Sequence, residues 1–408
     1  MRRTVTTAIL IDALSWPAVE KSGFLRELCP FRKPVRTILG YSSAAVPSIL
    51  TGQLPQVHGR WSYLYYDPAH SPFAWTRRLN LAGPLLHNRL ADNPLLKRLI
   101  ARWTARQHGF DGYFPVYDFP LRYLHLMDHC SKYWDFRPGA FDCPSLVDVL
   151  SQQGVPAHFL TYPMPEEEIF QQCAAVLRPD GPRLLILYLA AVDALGHAGG
   201  PDSPAVLERL QWYERRIEEL LRSAAVAGVD VNLLVFSDHG MVPVRGTVDI
   251  RRRVESLDLR FGMDYVAVYD STMARFWYLD PHCRPRIREI LEQCQEGRLL
   301  TGAEKMRYGI AFAGDRCGQD IFLLQTGLVI HPSHMSRRVL HAMHGYDPDD
   351  RVNDGIFLAS GRPDLILIDG LSRFGPLEST PVPFLHDLHA EIVQKEKRDC
   401  AACHLETP

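Results

Sequence analysis

No stretch of this chain reaches the roughly 18 consecutive apolar residues that a bilayer-spanning helix needs. The N-terminal MRRTVTTAILIDALSWP has two arginines before an apolar run, as a secretory leader would. That run is short, contains Asp12 and is followed by no small-residue cleavage pattern. The expectation is therefore a soluble cytoplasmic protein with at most peripheral membrane contact. Strong charge of one sign is missing too: 45 Lys and Arg against 47 Asp and Glu leave a formal −2. This provides no basic field for nucleic acid and no acidic tail. Internal repeats and low-complexity tracts are also absent.

The nine cysteines are odd in number and scattered, which suits reduced thiols better than a disulfide framework. Two of them form Cys400-Ala-Ala-Cys403-His404, the spacing of covalent haem attachment. Only four residues follow and the charged QKEKRD precedes, so residues 396–408 read as a disordered tail carrying chance cysteines.

At 408 residues the chain can hold one large α/β domain or a domain with an insertion. Four apolar runs lack period-two alternation: TVTTAILID, RLLILYLAAVD, VNLLVFSD and DLILID at 364–369. Helical stretches such as 203–225 separate them, the pattern of a mostly parallel sheet covered on both faces. Ligands bind such sheets at the carboxyl ends of the strands, and there the first three runs place Asp12, Asp193 and Asp238. Residues 60–142 are rich in aromatics and lack buried-strand runs. They read as an inserted cap or lid, leaving 1–59 and 143–395 as the core.

Asp238 is followed by His239 and Gly240, Asp193 precedes His197 by four residues, and His344 stands before a glycine. A lone Asp at a strand end is ordinarily a helix cap or loop residue, and a lone His a satisfied core or surface residue. With Asp12 these make six groups, the mixed Asp/His set that suits Zn²⁺, enough for two ions about 4 Å apart in the geometry that serves displacement at phosphorus. Gly240 is read as letting the backbone turn away at once.

A nucleophile candidate stands in GYSSAAVPSILTG, where Ser42 or Ser43 falls at the N-terminus of a predicted helix, a position that favours an anion. A plain Ser N-cap is the alternative, and Ser48 and Thr51 lie farther along the helix. Within the cap, NPLLKRLIARWTARQ puts Leu95, Leu96, Leu99, Ile100 and Trp103 on one helical face, with Lys97, Arg98, Arg102 and Arg106 elsewhere. This reads as a lid helix packed on the core, its basic residues solvated or steering an anionic substrate. The other reading is a helix lying on a membrane surface, which would suit a lipid-linked substrate.

Through LIDAL, the S-x8-T-G spacing into P-x-x-H-G, VDALGHAGG, SDHGM and HGYDPDDRVNDGIFLASG, the chain resembles the alkaline phosphatase superfamily, in its type I phosphodiesterase and nucleotide pyrophosphatase branch. The resemblance implies an alkaline-phosphatase-like three-layer α/β sandwich. It also implies cleavage of phosphodiester or pyrophosphate bonds through a covalent phosphoserine on two Zn²⁺, with Mn²⁺ as a substitute. The family nucleophile stands nine positions before the Thr of T-G, which selects Ser42 over Ser43. One ion would be held by Asp12, Ser42, Asp238 and His239, the other by Asp193, His197 and His344. Ser42 would attack phosphorus in line and water would release it in a second in-line step. His58 resembles the family's positioning His-Gly, with a structural role as the other reading.

Departures narrow the carry-over. Tyr63 stands where the pyrophosphatases place a phosphate-contacting asparagine, so Tyr63 or Arg60 would take that role. The sulfatase S-x-P-x-R pattern is missing, and no third-metal ligands or phosphate-gripping arginine are evident. A small-molecule phosphodiester of nucleotide or lipid-linked type is thus the expected substrate. A phosphotransferase or phosphomonoesterase of the same superfamily, or an inactive ligand-binding protein on this fold, are the alternatives.

Overall fold

The computed structural model describes residues 3–82 and 93–360. At its centre is a six-stranded sheet built from β1 (Arg3–Ile11), β2 (Phe31–Val35), β3 (Ala157–Leu160), β4 (Leu184–Leu189), β5 (Val229–Phe236) and β6 (Gly355–Ala359). The strand order is β2-β6-β5-β1-β4-β3, and β6 alone runs against the rest. Successive side chains alternate between two buried layers, which is why these runs show no polar alternation. Ile9, Ile11, Leu233 and Val235 enter one core with the helices α1 (Trp16–Ser22), α5 (Glu166–Val176) and α7 (Pro204–Val226). Ala8, Leu10, Leu234 and Phe236 enter the other, against α2 (Ser42–Thr51) and α4 (Leu146–Gln152). The result is a three-layer α/β sandwich.

Register aligns the site. Ile11 pairs with Leu189 and Leu10 with Phe236, so β1, β4 and β5 end at one level. The run DLILID, expected as a further strand, lies outside the described residues, as do Cys400, Cys403 and the expected tail. Beside β5 runs the antiparallel β6, whose sequence GIFLA is short.

A second, four-stranded antiparallel sheet pairs Tyr265–Tyr269, Met273–Tyr278, Asp320–Leu324 and Gly297–Leu299 in that order. The sequence reading did not separate it from the core. Within the aromatic-rich stretch, Leu64–Tyr66 pairs with Met127–His129, and Phe73, Phe114, Phe119 and Met127 share a hydrophobic cluster with Val266, Val268 and Trp277 of this second sheet. The aromatics thus fill an interface with the second sheet.

One local expectation is corrected. Helix α3 (Pro94–His108), capped by Asn93 and Gly109, turns Lys97, Ile100, Ala101 and Thr104 inward. Leu95, Leu99 and Trp103, predicted to pack on the core, are 66 %, 60 % and 49 % exposed. The cause is the ion pair of the buried Lys97, whose Nζ reaches the half-buried Asp118 Oδ1 at 2.8 Å, with Arg337 holding the same carboxylate. Among the described residues the seven cysteines are free thiols, and no helix is long and apolar enough to cross a membrane.

Candidate metal centre

Each strand end delivers its side chain by backbone geometry. Asp12 follows β1 directly, its amide bonded to Leu189 O at 3.0 Å. Asp238 follows β5 by one residue, and its Oδ1 accepts the amides of Ala13 (3.2 Å) and His239 (3.1 Å). That leaves Oδ2 buried without a hydrogen-bond partner. At Gly240 a Cβ would lie 2.8 Å from Asp354 O and 3.0 Å from the Asn353 carbonyl, so glycine is needed for close backbone approach.

Asp193 sits farther from its strand than the sequence suggests. β4 stops at Leu189 and Asp193 lies in the first turn of helix α6 (Ala191–Gly199), one turn before His197 on the same face. Glu166 fixes the start of that helix, accepting the Ala191 amide at 2.9 Å and the Tyr213 hydroxyl at 2.8 Å. His344 arrives from the short pair of Ala342–Met343 with Val242–Pro243.

These residues converge in two triads, Asp12–Asp238–His239 and Asp193–His197–His344, each with ligand atoms within 4.8 Å of one another. Inside them His239 Nε2 lies 3.2 Å from Asp238 Oδ2 and 3.7 Å from Asp12 Oδ1. Asp193 Oδ1 lies 3.2 Å from His197 Nε2 and 3.5 Å from His344 Nε2. Yet Asp193 Oδ1, Asp238 Oδ2 and His344 Nδ1 are buried polar atoms without a hydrogen-bond partner. Close approach without hydrogen-bond alignment is what shared aim at a third body produces, and the edge of a tetrahedron with zinc–ligand bonds of about 2.0–2.1 Å is about 3.3 Å.

The tautomers fit the same purpose. His197 Nδ1 lies 2.8 Å from Ala342 O and His239 Nδ1 3.0 Å from Gly240 O. A carbonyl only accepts, so both Nδ1 atoms carry the proton and both Nε2 lone pairs face the triads. Burial, with His239 beside it, brings His344 down to about 3, keeping it in the neutral form that ligates.

Charge balance points the same way. Burial, then the Asp238 and Asp193 charges, push Asp12 well above the usual carboxylate range. Burial raises Asp238 to about 7. Against burial, the His197 and His344 imidazoles hold Asp193 well below its usual range. Three carboxylates packed this closely ionise together only beside positive charge. The residues present fit two divalent cations.

A cavity of about 530 Å³ opens on both triads, and none of its lining residues is Lys or Arg. Ser42 Oγ sits at its floor, 3.0 Å from His239 Nε2 and 3.5 Å from Asp12 Oδ1. Ser42 is the first residue of α2, whose i→i−4 ladder begins with the Ala45 amide on Tyr41 O at 3.0 Å, leaving the Ser42 and Ser43 amides ahead of it. Ser43 turns its hydroxyl to Trp61 O at 2.8 Å. The geometry therefore distinguishes two serines that periodicity left open.

The remaining predicted residues divide. Tyr63 lines the cavity, its ring packed against Tyr113, Tyr117 and His129. Arg60 does not reach it, which corrects its expected substrate contact: the buried guanidinium pairs with Asp135 and donates to Tyr133 O (2.9 Å) and Ala140 O (2.8 Å). His58 is fully buried, its Nε2 2.9 Å from Ser48 Oγ and its Nδ1 accepting the Arg60 amide at 3.3 Å, so it ties α2 to the following turn. Sequence reasoning missed Tyr188, whose hydroxyl donates to Asp12 Oδ2 at 2.5 Å. The available signal was one tyrosine inside the apolar RLLILYL.

A profile of type I phosphodiesterase / nucleotide pyrophosphatase matches residues 31–347. An uncharacterized pyrophosphatase/phosphodiesterase of Schizosaccharomyces pombe is 37 % identical over 94 residues, 22 % of this chain and 18 % of that one. Venom phosphodiesterase 2 of Crotalus adamanteus is 26 % identical over 204 residues, 45 % of this chain and 23 % of that one. The matched regions thus span under a quarter of either relative. Murine ectonucleotide pyrophosphatase/phosphodiesterase 5 superposes with a TM-score of 0.59 at 15 % identity, covering 94 % of this chain and 96 % of that one, which shows the shared fold. With its profile match across most of the sequence, the chain belongs to the type I phosphodiesterase / nucleotide pyrophosphatase family, within the alkaline phosphatase superfamily.

Proposed function

We propose that this chain is a metal-dependent hydrolase of phosphodiester or pyrophosphate bonds that works through a phosphoserine on Ser42. The observation that carries this reading is the placement of Ser42 Oγ 3.0 Å from His239 Nε2 and 3.5 Å from Asp12 Oδ1, in a cavity that opens on both Asp/His triads and has no Lys or Arg among its lining residues. An anionic substrate entering such a cavity needs positive charge that the wall does not supply.

Asp12, Ser42, Asp238 and His239 would hold one ion and Asp193, His197 and His344 the other; zinc suits the donor set, and manganese is the substitute. Two bound divalent ions supply the charge that acidifies a hydroxyl and offsets charge developing on attacking and leaving oxygens. Ser42 gives its proton to solvent and forms the Oγ–P bond while the bond to the leaving oxygen breaks on the opposite side, and that oxygen takes up a proton from solvent. The Ser42 and Ser43 amides, ahead of the α2 hydrogen-bond ladder, would be available to a phosphoryl oxygen. Tyr63, whose hydroxyl burial raises well above its usual value, stays protonated and able to donate there. Water then attacks phosphorus, and Ser42 leaves with the proton restored.

The aromatic wall, with Tyr113, Tyr117, Trp134 and Tyr162, suits a leaving group with a flat or apolar surface. An inactive variant of the murine relative is described in complex with AMP, and a nucleotide is accordingly one substrate class proposed here. Metal content by mass spectrometry, run beside hydrolysis of bis-p-nitrophenyl phosphate by the wild type and Ser42→Ala, tests the reading. About two ions per chain and diester turnover lost in Ser42→Ala are expected. Metal-free protein, or turnover untouched by the substitution, would give the reading up in favour of a binding protein.

A further inference from the structure

Helix α3 is fixed from within. Ile100, Ala101 and Thr104 are buried beneath it, Lys97 and Arg337 are both paired with Asp118, and Thr104 Oγ1 receives the Trp75 indole N–H at 3.3 Å. With its inward face so committed, its outward face has a definite composition. Leu95, Leu99 and Trp103 recur at i, i+4 and i+8, within about 80° of arc at 100° per residue, and are half to two-thirds exposed. Arg98, Arg102 and Arg106 form an adjoining stripe, all exposed. No carboxylate lies within ion-pair distance of any of the three among the described residues, and the helix contains no Asp or Glu.

Single exposed leucines are unremarkable on a protein surface, but three large apolar side chains in one stripe, with an indole among them, are a contiguous patch. Water gains from covering it. The cover must also match unpaired guanidinium groups, and an anionic bilayer does so: acyl chains receive the leucines, the headgroup level suits the indole, and lipid phosphates meet the arginines. The patch is also well placed. Arg98 and Arg102 line a groove of about 520 Å³ that shares Tyr113, Tyr117, Met335 and Ser336 with the cavity of the metal centre.

We propose that the outward face of α3 docks this protein on anionic lipid bilayers, as a helix lying in the interface plane beside the mouth of the Ser42 cavity. Docking of this kind concentrates the chain where lipid-borne phosphodiesters are.

The test is co-sedimentation of the full chain with vesicles of phosphatidylcholine containing about 30 % phosphatidylserine, against phosphatidylcholine alone. The comparison proteins are a triple variant Leu95→Ser, Leu99→Ser and Trp103→Ser and a triple Arg98→Gln, Arg102→Gln and Arg106→Gln. Wild type should bind the anionic vesicles at least about tenfold more tightly than the neutral ones, and each triple variant should lose at least about tenfold. The apolar variant should keep its turnover of bis-p-nitrophenyl phosphate within about twofold of wild type, which shows that it has folded. Wild type that does not bind, or binding indifferent to the apolar variant, overturns the proposal. So does a dimer in light scattering that the apolar variant abolishes, because the stripe would then be covered by a second copy. Loss of all diester turnover in wild type would sink the hydrolase reading while leaving the vesicle result to stand alone.

Discussion

His239 and His344 lie face to face, their ring centroids 3.7 Å apart and their planes 13° from parallel, although each belongs to a different triad. The stack makes one wall common to both candidate metal sites. Burial, with His239 beside it, keeps the His344 ring of this stack neutral, as its proposed ligand role needs.

Removing that wall should therefore affect both sites unequally. His344→Ala is expected to lose the ion of the Asp193 triad and to weaken the Asp12 site only as a neighbour, within the 10–100-fold typical of supporting residues. Metal stoichiometry after exhaustive dialysis would read about one ion per chain. Two retained ions would mean that His344 is no ligand.

The serines make opposite predictions. Ser42→Ala should lower diester turnover by roughly 10³-fold or more and leave the melting temperature near wild type, with the ion of the Asp12 site held more weakly by its three remaining ligands. Ser43→Ala removes the bond to Trp61 O, about 1 kcal/mol of stability, and should leave turnover within about twofold. If the two phenotypes were exchanged, the geometry would be misread.

Tyr188→Phe deletes the 2.5 Å hydrogen bond to Asp12 Oδ2 and changes little else. Affinity for the metal should fall by about 10–100-fold, measured by competition with a chromophoric chelator. An unchanged affinity would show that Asp12 needs no such orientation.

Arg60 is a stability residue here. Arg60→Met leaves Asp135 and the carbonyls of Tyr133 and Ala140 without their donor, and loss of about 3 kcal/mol is expected in urea unfolding. The KM for a diester should stay within about twofold of wild type. A large rise in KM with unchanged stability would return Arg60 to the substrate.

The pH dependence of folding follows from three histidines outside the triads. Burial lowers His58, His129 and His334 to about 3 from an ordinary 6.5. Between those limits the unfolded chain binds more protons than the native one, so stability is present in full above about 6.5 and declines as pH falls toward 3. Thermal unfolding from pH 7 to pH 4 should show a falling Tm, with a shallower slope in His58→Gln. A flat profile would show that these rings are not held neutral.

Much of the site was legible because strand termini in a parallel sheet converge, and an aspartate after an apolar run marks such a terminus. Asp12 and Asp238 follow that rule directly. Asp193 was placed at a strand end but lies in the following helix, since RLLILYLAAVD runs from strand into helix without a polar break. The second sheet went unread because YVAVY and MARFWY are as apolar as core strands, and no local signal assigns a strand to a sheet. Arg60 and α3 failed for a shared reason: a buried ion pair, Arg60 with Asp135 or Lys97 with Asp118, depends on a partner remote in sequence.

By itself the sequence determined which side chains are chemically able to act, because ligand type and strand-end spacing are local properties. It also determined the layered architecture, through runs too uniformly apolar to face water. Only tertiary structure decided which serine faces the triads, which histidine nitrogen carries the proton and which face of α3 meets solvent. Each of these depends on contacts between segments far apart in the chain, where Trp61 O takes one hydroxyl, Ala342 O one imidazole and Asp118 one ammonium.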